Sequence, residues 1–229
     1  SSALANDACY PAYKAGNYPE AEQCLKKELK KERSWNHLFG LGYSLDAQQR
    51  YTEALPYLLE AEQKSSSTDN YLSIYSTLAS IYHHLVNYEK EYFYSMKYLD
   101  MSLKSGDNDS IAKAYNNIGV YYRAQNQPQK ALEFYEKSLE YRKESEKASV
   151  YNNLATLYAD QLHDLQKSEE MRLKAIALCE QTGDYNSLGL YKTNLGVFYY
   201  NHERYAEAKS VLTEALPIVR RAGLRGSEA

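Results

Sequence analysis

The sequence has no long hydrophobic run and no large excess of charge of either sign. Its apolar runs are only a few residues long, whereas a membrane-spanning helix requires roughly 20. Lysine and arginine number 27 against 30 aspartates and glutamates, for a formal net charge of −3. Neither half of the chain carries the basic stripe that phosphate binding needs. We therefore expect no direct membrane insertion by this chain and no nucleic-acid partner.

The sequence also lacks the residue patterns of a catalytic or metal site. His83 and His84 are adjacent, so they point to different sides of a helix, unlike metal ligands spaced at i and i+4. The other histidines have no cysteine or paired carboxylate at metal-ligand spacing; they are His37, His163 and His202. There is no glycine-x-serine-x-glycine nucleophile elbow. We predict a protein that is not an enzyme and that needs no metal or cofactor.

Cysteine is scarce, with three in 229 residues. Cys9 and Cys24 are nearly equidistant from a predicted turn at Gly16-Asn17, so an antiparallel hairpin would bring them level and allow a disulfide. The alternative is two buried free thiols in a cytosolic protein. Ala3-Leu4-Ala5 has the small-x-small form of a signal-peptide cleavage site. These features favour a periplasmic or extracellular location, with the cytoplasm as the alternative.

The clearest pattern present is an apolar helical stripe in the middle of the chain. Tyr115, Ile118, Gly119 and Tyr122 stand at i, i+3, i+4 and i+7, which places them on one buried face of a helix. A glycine inside a helix costs about 1 kcal/mol relative to alanine. We expect Gly119 to offset that cost by letting a partner helix approach closely at Ala131.

The partner helix follows a short break in the pattern at Asn126-Gln127-Pro128. Proline is tolerated in the first helical turn, so we predict a second, antiparallel helix from Pro128 that carries Ala131, Tyr135 and Ser138 inward. The same spacing of a small residue and its partner twelve residues later recurs along the chain. The pairs are Cys9 with Ala21, Gly42 with Ala54, and Gly196 with Ala208; Ala79 leads to Glu91, and Ala155 reaches Ser168 one residue late, which predicts an insertion around His163.

This recurrence, with a period near 34 residues and an aromatic or aliphatic residue three positions after the small one, resembles the tetratricopeptide repeat (TPR) family. The resemblance covers nearly the whole chain and implies an all-α fold, a right-handed α-α superhelix of about six helical hairpins. We expect a single solenoid over residues 1–229, with units at about 2–31, 35–64, 70–105, 109–144, 147–182 and 186–222. We also expect this sequence to be a fragment of a longer chain. The elongated spacing is similar to that of bacterial regulatory and sensor TPR proteins.

In this family the first helices of the hairpins line a concave groove that binds a protein or an extended peptide. The resemblance places Asn117, Asn153 and Asn194 at one groove position. Carboxamides both donate and accept hydrogen bonds, so each asparagine can hold one peptide unit of the ligand, whatever side chain the ligand carries there. The alternative is that these asparagines only hydrogen-bond neighbouring helices. The predicted site also includes Asn116, Asn152 and Tyr200, with Lys113 and Arg123 adding a preference for a carboxylate.

The role that follows is a non-catalytic binding module. We expect the sensory or scaffolding part of a bacterial regulatory or envelope protein. The alternative is a cytosolic TPR regulator of a response regulator or transcription factor. Some proteins of that kind act as phosphatases through an added helical bundle. We expect this phosphatase alternative to fit the sequence less well, because the repeats begin close to Ser1.

Overall fold

The computed structural model is built from antiparallel helical hairpins. It describes residues 8–227, with side chains described as far as residue 221, so the predicted cleavage site at Ala3-Leu4-Ala5 lies outside the described residues. The helices are α1 (Tyr10–Lys14), α2 (Tyr18–Lys31), α3 (Trp35–Ala47), α4 (Tyr51–Lys64), α5 (Thr68–His84), α6 (Tyr88–Ser105), α7 (Asn108–Ala124), α8 (Pro128–Tyr141), α9 (Ala148–Asp160), α10 (Leu165–Thr182), α11 (Tyr185–Asn201) and α12 (Tyr205–Ser227). Between residues 8 and 227 there is no strand. The predicted all-α repeat fold of about six hairpins is confirmed.

The chain divides into two compact units, Ser1–Ala114 and Tyr115–Ala229. Helices α1 to α6 lie in the first unit and α8 to α12 in the second, with the boundary inside α7. The single solenoid over residues 1–229 stays a prediction.

Every hairpin turn contains one residue in the left-handed backbone region. In the first turn this residue is Gly16, with φ of 73°. In the other five turns it is not glycine; these residues are Gln49, Val86, Asn126, His163 and Glu203, with φ between 53° and 61°. The turn between α9 and α10 comprises residues 161–164 and is one residue longer than the other turns. The insertion predicted around His163 is therefore confirmed.

The hairpin seams are closed by a glycine facing one large side chain. A Cβ added to Gly119 would lie 2.7 Å from the Tyr135 ring, and one added to Gly196 would lie 2.5 Å from Leu212 Cγ. In the first unit, a Cβ added to Gly42 would lie 2.6 Å from Leu58 Cγ. Gly119 therefore makes room for Tyr135 and not for Ala131 as predicted, because the residue one helical turn beyond the alanine reaches back across the seam.

Three hairpins depart from this rule: Cys9 stands in place of the glycine in the first hairpin, and alanine does in two others. In the hairpin of α9 and α10, the Ser168 hydroxyl donates to the Ala155 carbonyl at 2.8 Å, and Arg172 occupies the position of Tyr135 and Leu212. In the hairpin of α5 and α6, Glu91 is buried and one of its carboxylate oxygens lies 3.0 Å from His83 Nδ1. Both alanine hairpins therefore bury polar side chains in the seam.

The last helix is longer than the sequence suggests. The sequence after Ala215 predicts that helical order fades, because Pro217 lacks an amide hydrogen and two glycines follow it. That prediction is wrong, since α12 runs from Tyr205 to Ser227 with Pro217 inside it. A proline removes only one backbone hydrogen bond of a helix, and the neighbouring turns continue.

Candidate functional site

The predicted asparagines lie on the first helices of the hairpins in the second unit. Asn116 and Asn117 are on α7, Asn152 and Asn153 on α9, and Asn194 on α11. All five are half-buried. Each lies two or three residues before the small residue of its seam, so the helical register that buries Gly119, Ala155 and Gly196 also brings these carboxamides to one row. We call these five residues the asparagine row.

Hydrogen bonds connect the asparagine row from helix to helix. Asn153 Nδ2 donates to Asn116 Oδ1 at 3.0 Å, and Asn194 Nδ2 donates to Asn152 Oδ1 at 3.2 Å. The asparagine two residues before the small seam residue therefore bonds the asparagine three residues before the small seam residue of the preceding hairpin. These bonds are of the kind expected if the asparagines serve neighbouring helices.

The internal bonds use only part of the hydrogen-bonding capacity of the row. A carboxamide has two N–H donors and an oxygen with two lone pairs, and each bonded asparagine spends one donor or one acceptor site. Within residues 8–227, the Asn117 side chain makes no hydrogen bond at all. The row keeps donors and acceptors for a ligand, and its role in binding stays a prediction.

The charged and aromatic residues predicted beside the row have their own surroundings. Lys113 is exposed, and its Nζ lies 2.5 Å from Asp109 Oδ2. Arg123 is half-buried; it lies near the buried Tyr135 hydroxyl, and its charge opposes the rise in the pKa of Tyr135 that burial causes. Tyr200 is exposed, with its ring against that of Tyr205 at 5.5 Å between centroids. Lys113 is thus partly neutralised by a neighbour, and Arg123 is directed into the seam.

A cleft of about 290 Å³ lies between α9 and α11 and adjoins the asparagine row. Its polar lining comes from three helices and the turn after α11; these residues are Thr156, Asp160, Arg172, Asn194, Asn201 and His202. Because Asn194 also bonds Asn152, the cleft and the row share a residue. We call this feature the Arg172 cleft.

Arg172 is the residue that sequence reasoning missed. Its side chain comes from the second helix of its hairpin, is 9% exposed, and stacks on Phe198 with Cζ 5.1 Å from the ring centroid. Its Nε is buried without a hydrogen-bond partner, and among the described residues Arg172 has no ion pair. Burial lowers the pKa of Arg172, and the nearby Asp160 carboxylate acts against that shift.

A sequence signal for Arg172 did exist. Sixteen residues after the seam glycine, the other hairpins of this kind carry Leu58, Tyr135 and Leu212. Arg172 stands seventeen residues after Ala155, which is the equivalent position once the longer turn is allowed for. A charged residue in a seam of apolar residues breaks the internal repeat rule, and such breaks are expected at functional positions.

Other chemistry is limited in the part of the chain that the structure covers. No cluster of three or more histidine, cysteine, aspartate or glutamate side chains there could hold a metal ion. Across residues 8–227, none of the helices combines the length and apolar character that crossing a bilayer requires. In the first unit the sulfurs of Cys9 and Cys24 lie 2.10 Å apart and their Cα atoms 5.5 Å apart, which is disulfide geometry.

Comparison with known proteins gives a consistent picture of the fold. The BtubC (BKLC) structure from P. vanneervenii is 22% identical, with a TM-score of 0.69 over 96% of this chain and 93% of that chain. The apo form of RapI is 12% identical, with a TM-score of 0.71 over 94% of this chain and 96% of that chain. No curated protein sequence matches the chain significantly. At these identities the similarity shows the fold alone.

A third similar structure contains a tetratricopeptide repeat region. It is a signal transduction ATPase with numerous domains from Pyrococcus horikoshii that has a tetratricopeptide repeat sensor. It is 19% identical, with a TM-score of 0.71 over 89% of this chain and 32% of that chain.

Family models match the sequence directly. One tetratricopeptide repeat model matches residues 72–144 and 146–221, which is more than half of the chain, and another matches residues 12–69. Together with the helical hairpins and their small-residue seams, these matches show that the chain belongs to the tetratricopeptide repeat family.

Proposed function

We propose that the chain is a non-catalytic module that binds an extended segment of another protein along α7, α9 and α11. The observation that carries this proposal is the asparagine row, whose carboxamides keep unused donors and acceptors while the row itself is held in place by its own hydrogen bonds. Preorganised polar groups bind more tightly because less side-chain freedom is lost on association. An extended peptide offers one N–H and one C=O per residue, which matches this supply.

Asn117 is the residue best placed to report binding. Asn153 and Asn194 each hold a neighbouring helix, so removing them would change both the fold and the site. Asn117 has no hydrogen bond of its own within the described chain, so its carboxamide is available to a peptide unit. A change in binding at Asn117 can therefore be separated from a change in stability.

The cellular role we propose is sensing or scaffolding within a larger regulatory or envelope protein of a bacterium. Two findings support it. The Pyrococcus horikoshii protein uses its tetratricopeptide repeat region as a sensor. The disulfide geometry of Cys9 and Cys24 fits an oxidising compartment such as the periplasm or the cell exterior.

The test is binding of selected peptides to matched variants. Random twelve-residue peptides displayed on phage are selected on the intact protein, synthesised with a fluorophore, and measured by anisotropy against the parent, Asn117→Ala and Asn186→Ala. Asn186 is exposed on the first turn of α11 and is the control. Loss of about two hydrogen bonds predicts a roughly tenfold weaker affinity for Asn117→Ala, with an unchanged melting temperature. Equal affinity of all three proteins for every selected peptide would reject the asparagine row as the site.

A further inference from the structure

We propose that the Arg172 cleft is a specificity pocket that takes a carboxylate of the bound segment, with the Arg172 guanidinium as its ligand. The proposal rests on the proposed function, because it names the side-chain chemistry that the same site selects. The carboxylate can come from an aspartate or glutamate side chain or from a free C-terminus.

The first argument is the position of Arg172 in the repeat. In the other two hairpins of the second unit the equivalent residues are Tyr135 and Leu212, which close the seam with apolar atoms against a glycine. In this hairpin the repeat register places Ala155 where the glycine stands in the others, and the seam residue is an unbranched arginine. The hairpin therefore gives up an apolar contact for a positive charge, which the fold itself does not require.

The second argument is that Arg172 has no hydrogen-bond or ion-pair partner among the described residues, although the Asp160 carboxylate acts on it from a longer distance. Arg172 is nine-tenths buried, its Nε has no acceptor, and no carboxylate of the described chain lies within ion-pair distance. Buried charges are normally paired, because an unpaired one keeps the full cost of its lost hydration. A ligand carboxylate would supply the missing acceptor, and the planar guanidinium matches a carboxylate with two parallel hydrogen bonds.

The third argument is how the pocket is built around the guanidinium. Phe198 supports one face of Arg172 at 5.1 Å, which restrains its orientation. Asn194, Asn201 and Thr156 line the same cleft and carry side-chain donors that can reach a second carboxylate oxygen. Asn194 also bonds Asn152, so a ligand lying along the asparagine row passes the opening of the cleft.

The size and charge of the cleft favour a carboxylate over a phosphate group. A volume of about 290 Å³ suits one side chain or chain terminus and not a large headgroup. Asp160 also lines the cleft, and its negative charge acts on Arg172 from beyond ion-pair distance, which reduces the positive potential of the cleft without cancelling the charge of Arg172. A singly charged carboxylate is tolerated in such a setting, whereas a dianionic phosphate is repelled more strongly.

The experiment is a double-mutant cycle between Arg172 and the acidic group of selected peptides. Peptides selected on the parent protein are synthesised in three forms: the free acid, the C-terminal amide, and a form in which each acidic residue is replaced singly by its amide. Each form is measured on the parent, Arg172→Met, Arg172→Lys and Lys174→Met. Lys174 is exposed on the same helix and paired with Glu170 at 2.7 Å, so its variant controls for the loss of one positive charge.

We expect one acidic group of the peptide to matter in the parent. Its neutralisation should weaken binding roughly 10- to 100-fold, as for a hydrogen-bonded charge. On Arg172→Met the same neutralisation should change binding less than about twofold, while Lys174→Met should behave as the parent does. Arg172→Lys keeps the charge without the planar fork and should give an intermediate loss. If the sensitive group is the C-terminus, the amide form identifies it; if it is a side chain, the single replacements do.

Three outcomes separate this inference from the proposed function. If Asn117→Ala weakens binding but Arg172 and the peptide carboxylates show no coupling, the pocket is rejected and the proposed function stands. If no selected peptide responds to Asn117→Ala, the asparagine row fails, and coupling at Arg172 alone would leave a carboxylate pocket outside it. If selection yields no binding peptide at all, both proposals fail. Should Arg172→Met not fold, the Arg172→Lys series decides the same question.

Discussion

Replacing Arg172 with methionine is expected to stabilise the protein, although it removes the proposed ligand group. An unpaired buried polar group costs about 1–3 kcal/mol, and more when it is charged; Arg172 Nε is such a group. Methionine keeps an unbranched stem of similar length and removes the charge. The variant loses the stacking of the guanidinium on Phe198, which is worth about 0.5–2 kcal/mol.

The balance is a gain of about 1 kcal/mol in the free energy of unfolding, because the relief of the unpaired charge exceeds the lost stacking. For a chain of this size that corresponds to a rise of about 2–4 °C in the melting temperature. Urea denaturation followed by circular dichroism, with calorimetry as a second probe, measures both quantities. The exposed control Lys174→Met should stay within about 0.5 kcal/mol of the parent.

The shape of the seam allows a second and more specific test of the same prediction. In the glycine hairpins an added Cβ would come within 2.5 to 2.7 Å of the facing leucine or tyrosine. Because Ala155 already has a Cβ, leucine at position 172 should fit poorly, and Arg172→Leu should gain less than Arg172→Met. Adding Ala155→Gly costs about 1 kcal/mol of helix propensity on its own, but it should cost less, or stabilise, when combined with Arg172→Leu.

A clear negative result is available. If Arg172→Met lowers the free energy of unfolding by 1 kcal/mol or more while Lys174→Met does not, then Arg172 is needed by the fold. The reasoning that its charge is kept for a ligand would then be wrong.

Three further predictions concern the first unit. Intact mass before and after reduction should show a Cys9–Cys24 bridge in protein made under oxidising conditions, with a stabilisation of about 3 kcal/mol over the reduced form; three free thiols would contradict it. Burial raises the pKa of Glu91, although the nearby His83 acts against the rise. The folded state therefore holds the Glu91 proton more tightly than the unfolded state does. As a result the free energy of unfolding falls as the pH rises above about 4.5. Glu91→Gln should therefore be more stable than the parent at pH 7.5 and equal to it at pH 4, and a gain independent of pH would reject this cause. Val86 has φ of 55° and an exposed side chain, so Val86→Asn should raise the free energy of unfolding by about 1 kcal/mol in urea denaturation, because β-branched residues are strained in this region.

The hairpins could be predicted from the sequence because their signals are local. Tyr115, Ile118 and Gly119 mark a buried face within two helical turns, and Pro128 marks the start of the next helix. The partner of Gly119 was assigned wrongly, to Ala131 and not Tyr135, because the direction of a side chain across the seam depends on how the two helices approach. The continuation of α12 through Pro217 was missed for a related reason, since one lost backbone bond does not end a helix.

The sequence by itself determined the helical hairpins, the family, and which residues share a face, because helix periodicity and turn chemistry act over a few residues. Only the tertiary structure decided how those faces are used. The bonds from Asn153 to Asn116 and from Asn194 to Asn152 join residues 37 and 42 positions apart. The isolation of Arg172 likewise depends on α9, α10 and α11 together. Periodicity assigns a residue to a face, but the distance between donors and acceptors on different helices is set by their packing.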